Sequence, residues 1–152
     1  MKKLYIALTL ALLATGPTAF ASAQTEVMAP VHQFVDGFNK GATKSALAAC
    51  ADETSIIDEF PPYEWHGRGA CAQWVKDYEA SAKANGIADG IVTLSKTRHV
   101  DVQGDRAYVV TTANYTYTEK RKPMRETGST FTFALQKGAH GWRIIAWTWS
   151  KN

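Results

Sequence analysis

Residues 56–67, IIDEFPPYEWHG, decide how the chain is organised, because they interrupt a helical region with a short strand and a rigid loop. The isoleucine pair belongs to a β-rich run, TSIID, while Pro61 and Pro62 exclude a helix and stiffen the loop that comes after the strand. Acidic, aromatic and histidine side chains crowd together here, which is typical either of a reaction centre or of a loop that closes an apolar pocket. These side chains are Asp58, Glu59, Phe60, Tyr63, Trp65 and His66.

Three helices are predicted on the two sides of this stretch. They cover residues 27–40, 44–51 and 69–86, and each carries apolar residues at helical spacing. Gly41 and Gly86 are expected to end the first and third helices, because glycine readily adopts the left-handed conformation that terminates a helix.

From about residue 91 the apolar pattern changes to a period of two, which predicts strands. Four strands are expected, over residues 91–102, 106–119, 125–137 and 142–150, and residues 54–58 add a short one. Helices first and antiparallel strands afterwards indicate an α+β fold. In this fold three N-terminal helices pack on one face of a strongly curved, mostly antiparallel sheet.

The last predicted strand carries large apolar residues on both faces. Strict alternation places Ile144, Ala146 and Thr148 on one face and Arg143, Ile145, Trp147 and Trp149 on the other. Helices are expected to cover one face of the sheet and a second copy of the chain the other, so a homodimer is expected.

The first 23 residues have the organisation of a cleavable signal peptide. Lys2 and Lys3 precede an apolar run at residues 4–14, and the small residues ASA provide a cleavage site after Ala23. The run is too short for a comfortable membrane span, and a retained anchor helix is the alternative. We therefore expect a periplasmic or secreted protein, free of the membrane after cleavage, with one domain over residues 24–152.

The charge of the chain argues against a nucleic-acid partner. The formal charge is +3, and loss of Lys2 and Lys3 with the signal peptide leaves +1. The basic run EKRKPMR, residues 119–125, lies where a hairpin turn is expected and is interpreted as a solvated turn.

Two cysteines, Cys50 and Cys71, are expected to form a disulfide in an oxidising compartment. They have no clustered histidine, and His32, His99 and His140 are scattered along the chain, so no metal site is expected. No cofactor is expected.

Several segments together resemble the nuclear transport factor 2-like superfamily: the helix ending at Gly41, ACADETSIID, WHGRGACAQW, four strands and a closing GWRI with two more tryptophans. The resemblance covers residues 27–150 and is closest to the SnoaL-like and ketosteroid isomerase branch. It implies a cone-shaped, cystatin-like domain, in which a bent sheet wraps a helix and an apolar pocket opens between them. Members include isomerases, cyclases, dehydratases and binding modules, so the fold does not decide the activity.

The resemblance to ketosteroid isomerase can be followed residue by residue. The isomerase carries its general-base aspartate at the end of a segment similar to ADETSIID, which implies that Asp58 holds the position of the base. HGR then matches residues 66–68, and a pocket aromatic of the third helix matches Trp74. The oxyanion hole of the isomerase uses a tyrosine on the first helix and a protonated aspartate on a late strand, and neither is matched here. The tyrosine position is Phe34, and the late strand, GSTFTFALQ, contains no aspartate.

Two residues of the opening stretch are candidates for chemistry. Asp58 is a candidate base, because burial beside aromatic rings would raise its pKa; alternatively it accepts hydrogen bonds from the proline loop. His66 either assists Asp58 or packs in the loop. Glu59 is expected to face water.

The number of large aromatic residues predicts a pocket for a small apolar or aromatic molecule. Ordinary core and dimer packing is the alternative for most of them. Glu126 is expected to add a polar contact, unless it pairs with Arg125 or Arg143. The expected pocket residues are Phe34, Phe38, Phe60, Trp65, Trp74, Tyr78, Tyr115, Glu126, Trp147 and Trp149.

Three functions are compatible with these observations, and the sequence leaves open whether the chain is an enzyme. The first is a pocket protein that binds a small hydrophobic molecule without turnover. The second is an isomerase, lyase or hydrolase that uses Asp58 as general base. The third is a structural dimerisation module whose pocket is filled by its own side chains.

Overall fold

The computed structural model describes residues 17–152, which form three helices and six strands. The helices are α1 (Pro17–Asn39), α2 (Thr43–Ala49) and α3 (Ala70–Asn85). The strands are β1 (Cys50–Ile57), β2 (Glu64–Arg68), β3 (Ile87–Gln103), β4 (Arg106–Glu119), β5 (Lys122–Gly138) and β6 (Gly141–Ser150).

All six strands belong to one sheet, in the order β2-β1-β6-β5-β4-β3. Strand β1 runs parallel to β6, and every other neighbouring pair is antiparallel. Helix α1 contacts β3 and β6, whereas α3 contacts β1, β2 and β3. The predicted α+β fold, with three helices on a curved and mostly antiparallel sheet, is confirmed.

The apolar core lies between α1 and the central strands. Val27, Val31 and Phe34 recur at helical spacing, so α1 presents one buried stripe to the sheet. Phe133 and Ile144 face that stripe from β5 and β6 and are fully buried. Complete burial of each such side chain contributes about 1.5–3 kcal/mol, so this layer holds α1 on the sheet.

Cys50 and Cys71 form the predicted disulfide, with Cα atoms 6.6 Å apart. The bond joins the first residue of β1 to the first turn of α3. A cross-link of this span restricts the unfolded chain and contributes about 3 kcal/mol in the chain-entropy model. It also anchors α3 beside the strand whose far end leads to Asp58.

The short strand β2 was not predicted from the sequence. It pairs antiparallel with β1, where Ile56 lies opposite Trp65 and Thr54 opposite Gly67. Trp65 is the one buried residue of β2, so apolar and polar residues do not alternate along it. Its backbone pairing with β1 defines the strand, and a pattern of side chains does not report such pairing.

Several predicted boundaries also differ, and strands β3 and β5 begin at Ile87 and Lys122 rather than at the predicted residues 91 and 125. Helix α1 begins at Pro17, ten residues before the predicted start, and α2 ends at Ala49. Strand β1 begins at Cys50, because the backbone there already pairs with β6 opposite Ile144.

A β-bulge corrects the predicted faces of β6. Ala134 pairs with Ala146 and the next residue, Leu135, pairs with Ile144, so Ile145 is an extra residue in β6. An extra residue resets the alternation of side chains. Ile144 therefore lies on the buried side together with Trp147, whereas strict alternation had separated them.

The signal-peptide prediction falls largely outside the described residues. Residues 1–16 carry its basic and apolar parts, while the predicted cut after Ala23 lies within α1. Within residues 17–152, no helix combines the length and the apolar character needed to cross a membrane.

Candidate functional site

A cavity of about 140 Å³ lies between α1, α3 and the sheet and is partly open to solvent. Its presence beside Trp74 and Trp147 contradicts the hypothesis of a pocket filled by the protein's own side chains. Aromatic rings make most of its wall. They are Phe34, Phe38, Phe60, Trp74, Tyr78, Tyr115, Tyr117, Phe131, Trp147 and Trp149.

The structure brings nine of the ten expected pocket residues to this cavity, and the exception is Trp65. Trp65 is buried behind Phe60, with ring centroids 5.1 Å apart, and its Nε1 donates to Asp77 Oδ2 at 2.8 Å. Its neighbour His66 is exposed and does not line the cavity. Successive side chains of a strand point to opposite faces, so burial of Trp65 directs His66 outward.

Trp74 is the centre of the aromatic wall. On α3 it lies one turn before Tyr78, and the two rings stack with centroids 5.6 Å apart. Trp147 meets it edge to face at 4.9 Å, and Phe34 lies 5.9 Å away. Such contacts add about 0.5–1.5 kcal/mol per pair beyond area burial, so the wall is preorganised.

Asp58 follows β1 directly and lies on the cavity wall. Its Oδ2 accepts a hydrogen bond from Trp74 Nε1 at 2.8 Å, and its Oδ1 accepts one from the Glu59 backbone N–H at 2.8 Å. The loop closes behind it, since the Asp58 N–H donates to Tyr63 O at 3.1 Å. The two roles considered for Asp58, facing the cavity and bonding the loop, are thus combined in one geometry.

Burial dominates the electrostatics of Asp58. Loss of hydration raises the pKa of its carboxyl to about 6, although the bonds from Glu59 and Trp74 favour the charged form. Repulsion from Glu126 raises the pKa further.

Glu59 is exposed, as expected, but it also lines the cavity beside Glu126. Although the residue is exposed overall, desolvation at the cavity rim raises the pKa of its carboxyl to about 7. A hydrogen bond with Glu126 and repulsion from that carboxylate act in the same direction, and Lys151 opposes them. Sequence reasoning missed Glu59 because a loop has no alternation from which a facing direction could be deduced.

Glu126 is 7% exposed and occupies the rim of the cavity on β5. Its Oε1 accepts from Lys151 Nζ at 2.9 Å, and its Oε2 accepts from Trp149 Nε1 at 3.3 Å. The pairing with Arg125 or Arg143 that the sequence allowed does not form. The partner comes from the end of the chain, 25 residues away.

Tyr78 and Tyr115 supply a hydroxyl pair, with oxygens 2.5 Å apart. Burial raises the pKa of both hydroxyls, so they stay neutral donors and acceptors at physiological pH. Gly90 leaves room for them, because a Cβ there would lie 2.6 Å from the Tyr115 hydroxyl oxygen. One proton lies between the two oxygens, and the other hydroxyl proton has no protein acceptor in residues 17–152.

The site therefore combines an apolar wall, carboxyl groups that titrate near neutrality and neutral hydroxyl donors. These are the components of proton transfer to or from an organic molecule. In the described part of the chain, no group of three or more His, Cys, Asp or Glu side chains is arranged to hold a metal ion.

Comparison with solved structures identifies the same fold in several bacterial proteins. A protein of unknown function from Mycobacterium tuberculosis superimposes with a TM-score of 0.72 at 15% identity, over 91% of this chain and 78% of that one. A nuclear transport factor 2-like superfamily protein from Salmonella enterica serovar Typhimurium gives 0.72 at 14% identity, over 87% and 92%. A ketosteroid isomerase-like protein from Erwinia carotovora atroseptica gives 0.60 at 20% identity, over 84% and 94%. These likenesses concern the fold.

A search of curated proteins found no match. The family model described as SnoaL-like domain matches residues 27–151, which includes every element from α2 to β6 and most of α1. The chain thus belongs to the SnoaL-like domain family and shares its fold with nuclear transport factor 2-like proteins.

Proposed function

We propose that this protein binds a small, flat, largely apolar molecule in the cavity. The observation that carries the proposal is the cavity itself, about 140 Å³ in volume and walled by aromatic rings. An apolar cavity of about 150 Å³ holds one benzene molecule, so the enclosed part of the ligand is about one ring in size. The open side allows a larger ligand to protrude.

A second candidate function is catalysis by proton transfer, as an isomerase, lyase or hydrolase. It is favoured by Asp58, a carboxyl with a pKa of about 6 on an apolar wall. A base with a pKa near the working pH is both largely ionised and able to take a proton. The Tyr78 and Tyr115 hydroxyls would stabilise negative charge on a substrate oxygen, in place of the oxyanion donors that the resemblance leaves absent.

The raised pKa of Asp58 implies a pH-dependent cost to folding. Between the ordinary aspartate pKa of 3.8 and the folded value of about 6, the folded state binds more protons than the unfolded state. The free energy of unfolding therefore falls as the pH rises through this window and levels off above it. A shift of this size corresponds to about 3 kcal/mol at most.

We expect Asp58→Asn to remove this cost. The melting temperature of the variant, relative to that of the wild type, should therefore increase as pH rises from 4 to 6. The variant also loses about 1 kcal/mol of unfolding free energy at every pH, because the amide oxygen can accept only one of the two N–H bonds that the carboxylate accepts. Thermal melts from pH 4 to 8 measure the difference. Asp52→Asn, the same change at an exposed position, is the control, and a pH-independent difference for Asp58→Asn would contradict the assignment.

Ser81→Phe tests the binding site. Ser81 lines the cavity from α3, so a phenyl group there should occupy the space of the ligand and weaken the binding of toluene at least tenfold. Ala84→Phe places the same side chain on an exposed position of the same helix and should bind toluene like the wild type. Ligand-observed NMR measures both affinities. If Ser81→Phe binds toluene as tightly as the wild type, this cavity is not the toluene-binding site.

The catalytic candidate is tested by hydrogen exchange on a carbon acid. Cyclohexanone is of suitable size, and a base on the cavity wall should accelerate exchange of its α-hydrogens with D₂O. Asp58→Asn should reduce this rate to that of buffer while toluene affinity stays within about threefold, since the amide preserves shape. If the variant exchanges at the wild-type rate, Asp58 is not the base.

The proposal also includes export of the protein and its association as a homodimer. The disulfide suits an oxidising compartment, and the exposed Tyr108 offers apolar surface on the sheet. Native mass spectrometry of protein from the cell envelope should give subunits that begin at Gln24 and associate as dimers. Subunits that retain residue 1 would refute the predicted cleavage. A monomer at micromolar concentration would refute the predicted dimer.

A further inference from the structure

The cavity carries more negative than positive charge. Three carboxyl groups line it, from Asp58, Glu59 and Glu126. Among residues 17–152, the one ion pair made by these carboxyls is that of Glu126 with Lys151. Two carboxyls thus remain without a cationic partner beside a wall of low polarity, where an unpaired charge is costly.

The indole rings of Trp74 and Trp149 add to this negative character. Trp74 donates its only N–H to Asp58, and Trp149 donates its only N–H to Glu126. What these rings have left to offer a ligand is therefore their π faces, which attract cations. The aromatic wall and the carboxyls then favour the same sign of ligand charge.

Exposure differs along the cavity. Phe34, Phe131 and Trp147 are at most 4% exposed, so they form its deep apolar part. Glu59 is exposed, and the buried carboxyl of Glu126 is bonded to Lys151, whose side chain is 53% exposed, so the charged groups of the cavity extend to its solvent side. A ligand that matches this gradient has an apolar body and a cationic end.

We propose that the cavity takes an organic cation, a protonated amine or similar group attached to a flat apolar ring. The ring lies against the aromatic wall and the cationic group lies between the carboxyls of Asp58 and Glu59. This inference rests on the proposed binding function and names the chemical class of its ligand.

The protonation of the empty site agrees with this assignment. Desolvation first, and then the proximity of Glu126, raises the pKa of both Asp58 and Glu59, so the empty cavity retains protons near neutral pH. The other titratable groups facing these carboxyls are Tyr78, Tyr115, Tyr117 and Lys151. A bound cation should replace the retained protons, and its affinity should rise as pH increases through 6 to 7.

A neutral or anionic ligand should behave differently. A neutral hydroxyl compound can bond to protonated carboxyls, so its affinity should be flat or should fall as pH rises. An anion is repelled by the ionised carboxyls and should bind weakly above pH 6. The sign of the pH dependence therefore separates the three classes.

The experiment compares benzylamine, benzyl alcohol and benzoate by isothermal titration calorimetry at pH 5.5 and 7.5. The three probes share one ring and differ in charge. We expect benzylamine to bind at least tenfold more tightly than benzyl alcohol at pH 7.5, with a smaller ratio at pH 5.5, and benzoate to bind most weakly. Proton release on benzylamine binding should show as an enthalpy that depends on the buffer.

Glu59→Gln should lower benzylamine affinity severalfold at pH 7.5 and change benzyl alcohol affinity much less, because the amide still offers a donor and an acceptor to a neutral hydroxyl. Glu53→Gln, at an exposed glutamate of β1 outside the cavity, is the matched control and should have no effect. Thermal melts confirm that both variants fold.

Equal or stronger binding of benzyl alcohol at pH 7.5 would overturn the cation assignment while leaving the proposed binding function intact. Unchanged benzylamine affinity in Glu59→Gln would also overturn it. If none of the three probes binds and toluene does not bind either, both the assignment and the proposed function fail.

Discussion

The hydrogen bond from Trp74 Nε1 to Asp58 Oδ2, 2.8 Å long, joins the loop after β1 to helix α3. The cavity wall depends on this contact, because it fixes the orientation of the indole around which the other rings pack. The carboxylate depends on it too, since a buried charge needs donors, and the indole supplies one of two. The disulfide at the start of α3 keeps the helix close enough to β1 for this bond to form.

The site destabilises the fold, and the core compensates for it. Carboxyls with raised pKa values lower the free energy of unfolding above those pKa values, so the rest of the structure must supply the missing stability. That stability comes from the layer between α1 and strands β5 and β6, where Phe133, Leu135 and Ile144 are fully buried. Rigid elements of this kind can keep a few polar groups in an unfavourable environment.

Features that depend on local pattern could be predicted from the sequence. Strand β4, Arg106–Glu119, has the predicted bounds because its side chains alternate between core and solvent. Features that depend on distant pairing could not. The β2 strand, the Lys151 partner of Glu126 and the bulge at Ile145 each require knowledge of which backbone or side chain lies opposite.

The same distinction holds for the candidate site. Large aromatic residues and the acid after β1 stand out in the sequence, and the structure brings nine of the ten expected side chains to one cavity. Glu59, Tyr117 and Phe131 were missed, since loop direction and strand register decide whether they reach it. The roles of these residues in binding or catalysis stay predictions, because a cavity specifies shape and charge but not turnover.

Polar groups in this cavity are arranged differently from those that the isomerase resemblance implies. Phe34, which the resemblance matches to the tyrosine of the oxyanion hole, is 3% exposed and belongs to the apolar deep end, whereas Glu59 is exposed to solvent. Negative charge developing in the cavity would therefore depend on the neutral hydroxyls of the wall, which belong to Tyr78, Ser81, Tyr115 and Tyr117. A cationic substrate would reduce this need, because removal of a proton next to a positive centre leaves a neutral product. The charge class of the ligand and the chemistry available to Asp58 are thus linked through the same three carboxyls.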